Sequence, residues 1–256
     1  MRRAPAAAGF ALALGLASPV EAERLVLSLS SNQVAIGSTY TGARLVAFAI
    51  IERDGQAVAR AGPYDVVVTV RGPREATTVR RKEALGPIWL NRSQQKFAQI
   101  PSLLAVLSSR PLEEAMDPSL RRRFRLGIDA IVGAPEFTLD RGGADDPFRA
   151  ALVRLKKRDG LYVEEPRGVS FVTETFFRAP ILLPATAPIG NYDVETSLVA
   201  DGIVVASRNA SFELVKIGIE EQITELAHER GLTLGLSTAA LSLLFGWLAS
   251  IVFRRD

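Results

Sequence analysis

The feature that most constrains this chain is its last apolar run. From Leu232 to Phe253 there are 22 residues without a single Asp, Glu, Lys, Arg, His or Pro. As a helix rising roughly 1.5 Å per residue the run would be about 33 Å long, enough to cross a hydrocarbon core of about 30 Å. A buried core helix is ordinarily shorter and apolar along one stripe, whereas Leu232, Leu236, Leu241, Leu244, Trp247 and Ile251 fall on every side of this one. The run therefore predicts one transmembrane helix over 232–253. An amphipathic juxtamembrane helix over 218–231 precedes it, with Ile219, Ile223 and Leu226 on one face, and a short tail, 254–256, follows. Arg254 and Arg255 in that tail hold the C-terminus on the cytoplasmic side, giving an N-out, C-in orientation.

The other end of the chain reads as a targeting segment. Arg2 and Arg3 precede "APAAAGFALALGLA", and Val20 and Ala22 satisfy the small-residue rule for cleavage after Ala22. The expectation is a signal peptide over 1–22, with an uncleaved N-terminal anchor as the alternative. The basic residues are 26 Arg and only 5 Lys, a bias expected of a GC-rich bacterial genome. Together these place the protein in a bacterial inner membrane as a single-pass chain, its main domain periplasmic.

Composition removes several kinds of chemistry. There is no cysteine, which excludes disulfides, thiolate metal sites, covalent haem, blue copper and a cysteine nucleophile. The single histidine, His228, leaves little room for zinc catalysis or a Ser-His-Asp triad. Formal net charge is +3, but setting aside Arg2, Arg3, Arg254, Arg255, Glu21 and Asp256 leaves 27 basic against 26 acidic residues in the exported part. A nucleic-acid partner, which needs a concentrated basic face, is not expected. No cofactor is expected either.

Between the two ends lies a domain over 23–217. "RLVLSLS", "ARLVAFAII", "YDVVVTVRG" and "TTVRR" are β-branched or apolar runs punctuated by Gly37, Asp54-Gly55, Gly62-Pro63 and Gly72-Pro73. "LVAFAII" is apolar on both faces and predicts a central strand. From about 101 to 159 the period changes to helical. Asp117-Pro118 and Asp146-Pro147 each set a carboxylate at an N-cap with proline at the first helical position. Leu120, Phe124, Ile128 and Ile131 make the apolar stripe of the first helix; Phe148, Leu152 and Leu155 make that of the second, opposite Arg154, Lys157 and Arg158. Strands return after Gly168 with "VSFVTETFF" and "NYDVETSLV", and Asp201-Gly202 marks a tight hairpin before "IVVAS". The Pro188-x-Gly190-x-Tyr192 spacing resembles the corner of immunoglobulin-like sandwiches, where a tyrosine hydroxyl ties back to upstream backbone. The fold expected is mainly β: an immunoglobulin-like sandwich built from both flanks of a helical insertion, plus the terminal transmembrane helix. Two separate small β-domains are the alternative.

Across "YDVVVTVRGPREATTVRRKEALGPIWLN" and "LPATAPIGNYDVETSLVADGIVV", and through "FELVKIGIEEQI" and "SSRPL", the chain resembles a family of alphaproteobacterial transmembrane proteins. The family pattern around the tryptophan reads Gly-x-Trp-x-Asn, whereas here Pro87 intervenes in "GPIWLN" and alters the turn before Trp89. The resemblance implies a topology and a taxonomic setting but no activity.

Two groups of residues are candidates for contact. Arg80, Arg81 and Lys82, near Trp89 and Asn91, offer forked and point-charge donors beside an aromatic ring, suited to a partner or an anion. The plainer alternative is a sheet edge protected by charge. In the terminal helix Gly231, Gly235 and Ala239 recur at every fourth position, a stripe along which another membrane helix, or a second copy, could approach. The partners expected are the lipid bilayer and another membrane protein or self-association through that helix. Nothing in the spacing of Glu164, Glu165 and Glu174 sets up an acid and a base. The reading is a membrane-anchored interaction or accessory protein of a transporter or envelope complex, not an enzyme. An envelope hydrolase or a small-anion sensor is the alternative.

Overall fold

The computed structural model of the chain describes residues 23–37, 41–53, 63–134, 146–216 and 231–253. The signal segment 1–22, the juxtamembrane segment up to residue 230, His228 and the tail 254–256 lie outside them.

The elements, in chain order, are β1 (Glu23–Leu29), β2 (Gln33–Ile36), β3 (Gly42–Arg53), β4 (Asp65–Arg71), β5 (Arg74–Leu85), β6 (Ile88–Pro101), β7 (Leu104–Ser108), α1 (Leu112–Ala115), α2 (Pro118–Phe124), α3 (Ile128–Val132), α4 (Pro147–Arg158), β8 (Tyr162–Pro166), β9 (Ser170–Phe171), β10 (Phe176–Pro184), β11 (Gly190–Ala200), β12 (Ile203–Lys216) and α5 (Gly231–Phe253). The fold is mainly β. One sheet has the order β1-β3-β10-β9, a second β2-β12-β11-β4-β7-β8, and β5 and β6 pair only with each other. Strands from before and after the helices share both sheets, β3 with β10 and β4 with β11.

Strand alternation decides where the cores sit. Leu45, Ala47, Ala49 and Ile51 of β3 and Phe177, Ala179, Ile181 and Leu183 of β10 meet Val66, Val68, Val70, Val194 and Phe212 between the two sheets. Val67, Leu104 and Val106 point out of the other face of the second sheet, against Leu112, Ile128, Ile131 and Leu152 of the helices. The helices thus form a third layer, and β4 and β7 are sealed on both faces. That explains why Val66, Val67 and Val68 run without a polar break and why every residue of "LAVLS" is buried. Strand β3 is central, as its run predicts, but its outer face stays open, with Ile50 48 % exposed.

Several expectations need correction. The helical segment begins at Leu112, not near 101: residues 104–108 are a buried central strand, because a short apolar run has no period that separates helix from strand. Helix α4 and the shorter ones before it carry the chain from β7 to its parallel neighbour β8, a connection that parallel pairing requires. The stripe from Leu120 to Ile131 does not belong to one helix. Arg125 takes φ 53° and Gly127 φ 97°, and Leu126 N–H closes on the Arg121 carbonyl at 2.9 Å, so α2 stops and α3 restarts. "VSFVTETFF" is not one strand: Thr173 Oγ1 accepts the Phe176 N–H at 3.0 Å, turning the chain so that Phe171 and Phe177 face each other with ring centroids 5.5 Å apart. In α4 the buried face is Arg149, Leu152, Val153 and Lys156, while Leu155 is 37 % exposed.

Other local readings are realised. Asp146 accepts the Phe148 N–H at 3.0 Å as the cap of α4, while Asp117 precedes α2 without a side-chain bond. Asp201 and Gly202 take φ 52° and 77° between the paired residues Ala200 and Ile203, as a type I′ turn requires. Tyr192, fully buried and stacked on Phe212 at 5.0 Å, donates its hydroxyl to the Pro188 carbonyl at 2.6 Å.

Helix α5 runs for 23 residues. Among the described residues no helix is long and apolar enough to cross a membrane. The span expected over 232–253 is present as a helix, Gly231–Phe253.

Candidate functional site

Strands β5 and β6 form an arm, and its root lies in the most deeply buried part of the fold. Beyond Arg71 opposite Leu104, the ladder of β4 and β7 continues: Gly72 N–H bonds the Leu103 carbonyl at 2.8 Å and Ser102 N–H the Pro73 carbonyl at 2.9 Å. Pairing then passes to Arg74 opposite Pro101. The two doubly buried strands and the arm are one continuous hairpin. A Cβ at Gly72 would stand 2.7 Å from Ser102 Oγ and 3.0 Å from Leu103 N, so only glycine fits this crossing without a shift.

The neck of the arm is braced from the side. Lys156 of α4, 9 % exposed, pairs with Glu75 and reaches the Ser102 carbonyl at 3.3 Å. Tyr162 of β8 donates its hydroxyl to the Pro101 carbonyl at 2.8 Å, beneath the Lys156 ammonium, 5.9 Å from its ring centroid. Burial, with the Glu75 carboxylate second, raises the phenol pKa well above its ordinary value, so Tyr162 stays a neutral donor. Val79, Phe97 and Ile100 complete the base inside the helical core.

Beyond Val79 and Gln95 the arm leaves the body. Leu85 pairs with Ile88 across the two-residue loop Gly86-Pro87, where Gly86 takes φ 62°. A positive φ at the first central residue suits a type II′ turn, and proline fits the second. Pro87 thus sits in the tip. Pairing distributes the predicted residues. Arg80 stands opposite Gln94, Lys82 opposite Asn91 and Ala84 opposite Trp89, so Arg80, Lys82, Asn91 and Trp89 share one face. Arg81 does not join them. Alternation turns it to the other face, where it pairs with Glu83 at 3.2 Å while Ser93 Oγ donates to the same carboxylate at 2.8 Å. The sheet-edge reading of this segment holds in one form: β5 is an edge strand of its own two-stranded ribbon. The length of β6 escaped sequence reading because "NRSQQK" is polar on both faces, and only its pairing with β5 makes it a strand.

Glu164 and Glu165 are not gathered into one site. They are neighbours on β8 and open to different places. Glu165 lines a cavity of about 420 Å³ between the sheets, with Arg44, Leu107 and Pro180. Glu164 lines one of about 900 Å³ beside the helices, with Arg121, Arg125, Asp129 and Arg149. Desolvation raises the Glu164 pKa; Lys157 opposes the rise, Asp129 and Glu113 add to it, and Arg121 opposes it. In the wall of that cavity Arg121 is held by Glu113 at 3.2 Å. The "SSRPL" segment is structural: Arg110 meets buried Asp65 at 2.5 Å, and Ser109 Oγ donates to Asp65 at 3.1 Å while accepting the Val66 N–H at 3.1 Å. This clamp ties the end of β7 to the start of β4. Gly235 in α5 has nothing within 4 Å of where a Cβ would be.

Taken by its parts, the chain is a layered β domain with a projecting arm and a long uncharged helix near its end. It belongs to the family described as "Putative transmembrane protein" (Alph_Pro_TM), whose model matches residues 24–255. Comparison with curated proteins gives no match.

Proposed function

We propose that this protein is a single-pass, membrane-anchored interaction protein. Its β domain is held on the periplasmic side of a bacterial inner membrane and serves as an accessory to a transporter or envelope complex, with the β5–β6 arm as its contact element. The observation that carries this reading is the match to a family described as transmembrane, in a chain whose residues Leu232–Phe253 hold no charge and lie in helix α5. Arg254 and Arg255 after it favour a cytoplasmic C-terminus. The spacing of Gly231, Gly235 and Ala239 supports close approach of another helix. Two packed sheets and the Tyr192–Pro188 tie support an immunoglobulin-like sandwich. A hydrolase receives less support, since Glu164 and Glu165 open to separate cavities.

Alkaline carbonate extraction tests the anchor: the full chain stays with the membranes and a chain ending at residue 230 washes off. Crosslinking in native membranes tests the accessory role by recovering a membrane partner. Repeated recovery of the chain alone contradicts that role.

A further inference from the structure

At the end of the arm Trp89 is 69 % exposed, Ile88 52 % and Leu90 41 %. Pairing sends Trp89 to one face and Ile88 and Leu90 to the other, so both faces of the tip carry apolar side chains; Glu83, opposite Leu90, is paired with Arg81 at 3.2 Å. A protein groove asks for one apolar face; entry into a slab of apolar medium asks for an apolar tip with a polar collar behind it. That collar is present. On the Trp89 face the next charged side chains are Lys82 and Arg80, both exposed, and at roughly 3.3 Å per residue they stand about 7 and about 13 Å behind Trp89. Segments that lie in a membrane interface sink their apolar part about 5–10 Å, which would put Lys82 at the level of the phosphates. Tryptophan favours that same zone.

We propose that the β5–β6 arm is a membrane-docking hairpin, its tip Ile88-Trp89-Leu90 entering the interfacial layer of an anionic bilayer while Arg80 and Lys82 engage lipid phosphates. The proposal rests on the anchored reading above, which brings a bilayer within reach. Because the arm continues β4 and β7, such a contact fixes the tilt of the whole domain and not of a loose loop.

The chain has two tryptophans, so Trp247→Phe leaves Trp89 as the only emitter. The full chain carrying that change is reconstituted in vesicles of phosphatidylglycerol and phosphatidylethanolamine doped with lipids brominated near the headgroup. The expected result is a blue-shifted Trp89 emission that the brominated lipid quenches. Arg80→Gln with Lys82→Gln should lower the ratio of docked to free arms roughly 30-fold, and phosphatidylcholine vesicles should weaken docking in the same direction. Both substituted positions are exposed, and an unchanged thermal melt verifies the fold. A chain that floats with the vesicles while Trp89 stays unshifted and unquenched, or is photo-crosslinked from the tip to protein alone, overturns the docking arm and leaves the anchor standing. A chain that fails to float removes the anchor, and with it the premise of the arm.

Discussion

Gly72 donates its backbone N–H to the Leu103 carbonyl across 2.8 Å at the point where β4 and β7 leave the sandwich. That bond makes the exposed arm an extension of the two strands buried on both faces, and it is where the surface element and the core are mechanically one.

Gly72→Ala strains this joint. The new methyl meets Ser102 Oγ and the Leu103 backbone, and overpacking of that kind costs about 1–3 kcal/mol. Denaturant unfolding of the domain reads the loss, and an unchanged midpoint contradicts the close crossing.

Lys156→Met should loosen the neck. The substitution removes the ammonium from Glu75 and from the Ser102 carbonyl, and a charge-assisted bond of this sort contributes roughly 1–3 kcal/mol. Hydrogen exchange should rise first across 74–85 and 88–101, ahead of the sandwich. Uniform loosening of the whole domain would place Lys156 in the general core rather than at a brace.

Leu104→Ala, in a strand whose five residues are all buried, should cost about 2–5 kcal/mol. Thermal unfolding measures it. A cost under 1 kcal/mol would contradict the sealed position of β7 between sandwich and helices.

Glu164 gives a pH-dependent prediction. Desolvation raises its folded-state pKa above the unfolded one, so its contribution to stability is fully present below the unfolded value and is lost as pH rises through the folded one. Glu164 is exposed on β8, so solvent screens the shift, and Glu164→Gln should raise the melting temperature only slightly at about pH 7 and change it little at about pH 3. A gain confined to acid would reverse the sign.

Much of the β framework was legible because alternation and turn chemistry are local. Tyr192 with Pro188, the Asp201-Gly202 turn and the Asp146 cap each depend on residues within four positions of one another. What escaped depends on distant partners. Residues 104–108 become a strand only because β4 and β8 flank them, and residues 88–101 only because β5 returns alongside. The contact cluster was legible in part: Arg80, Lys82, Trp89 and Asn91 are gathered by cross-strand register, and the same register removes Arg81 by turning it towards Glu83. The burial of Lys156 had no sequence signal, since its partner Glu75 is far along the chain.

The central claim, a domain outside and a tail inside, is tested most directly by cysteine labelling, because the chain has no cysteine of its own. Ser211→Cys on β12 and Asp256→Cys in the tail are exposed separately, in the full chain, to a membrane-impermeant maleimide in intact spheroplasts. The account predicts immediate labelling at residue 211 and labelling at residue 256 only after permeabilisation. Equal labelling at both before permeabilisation, or the reverse order, contradicts it.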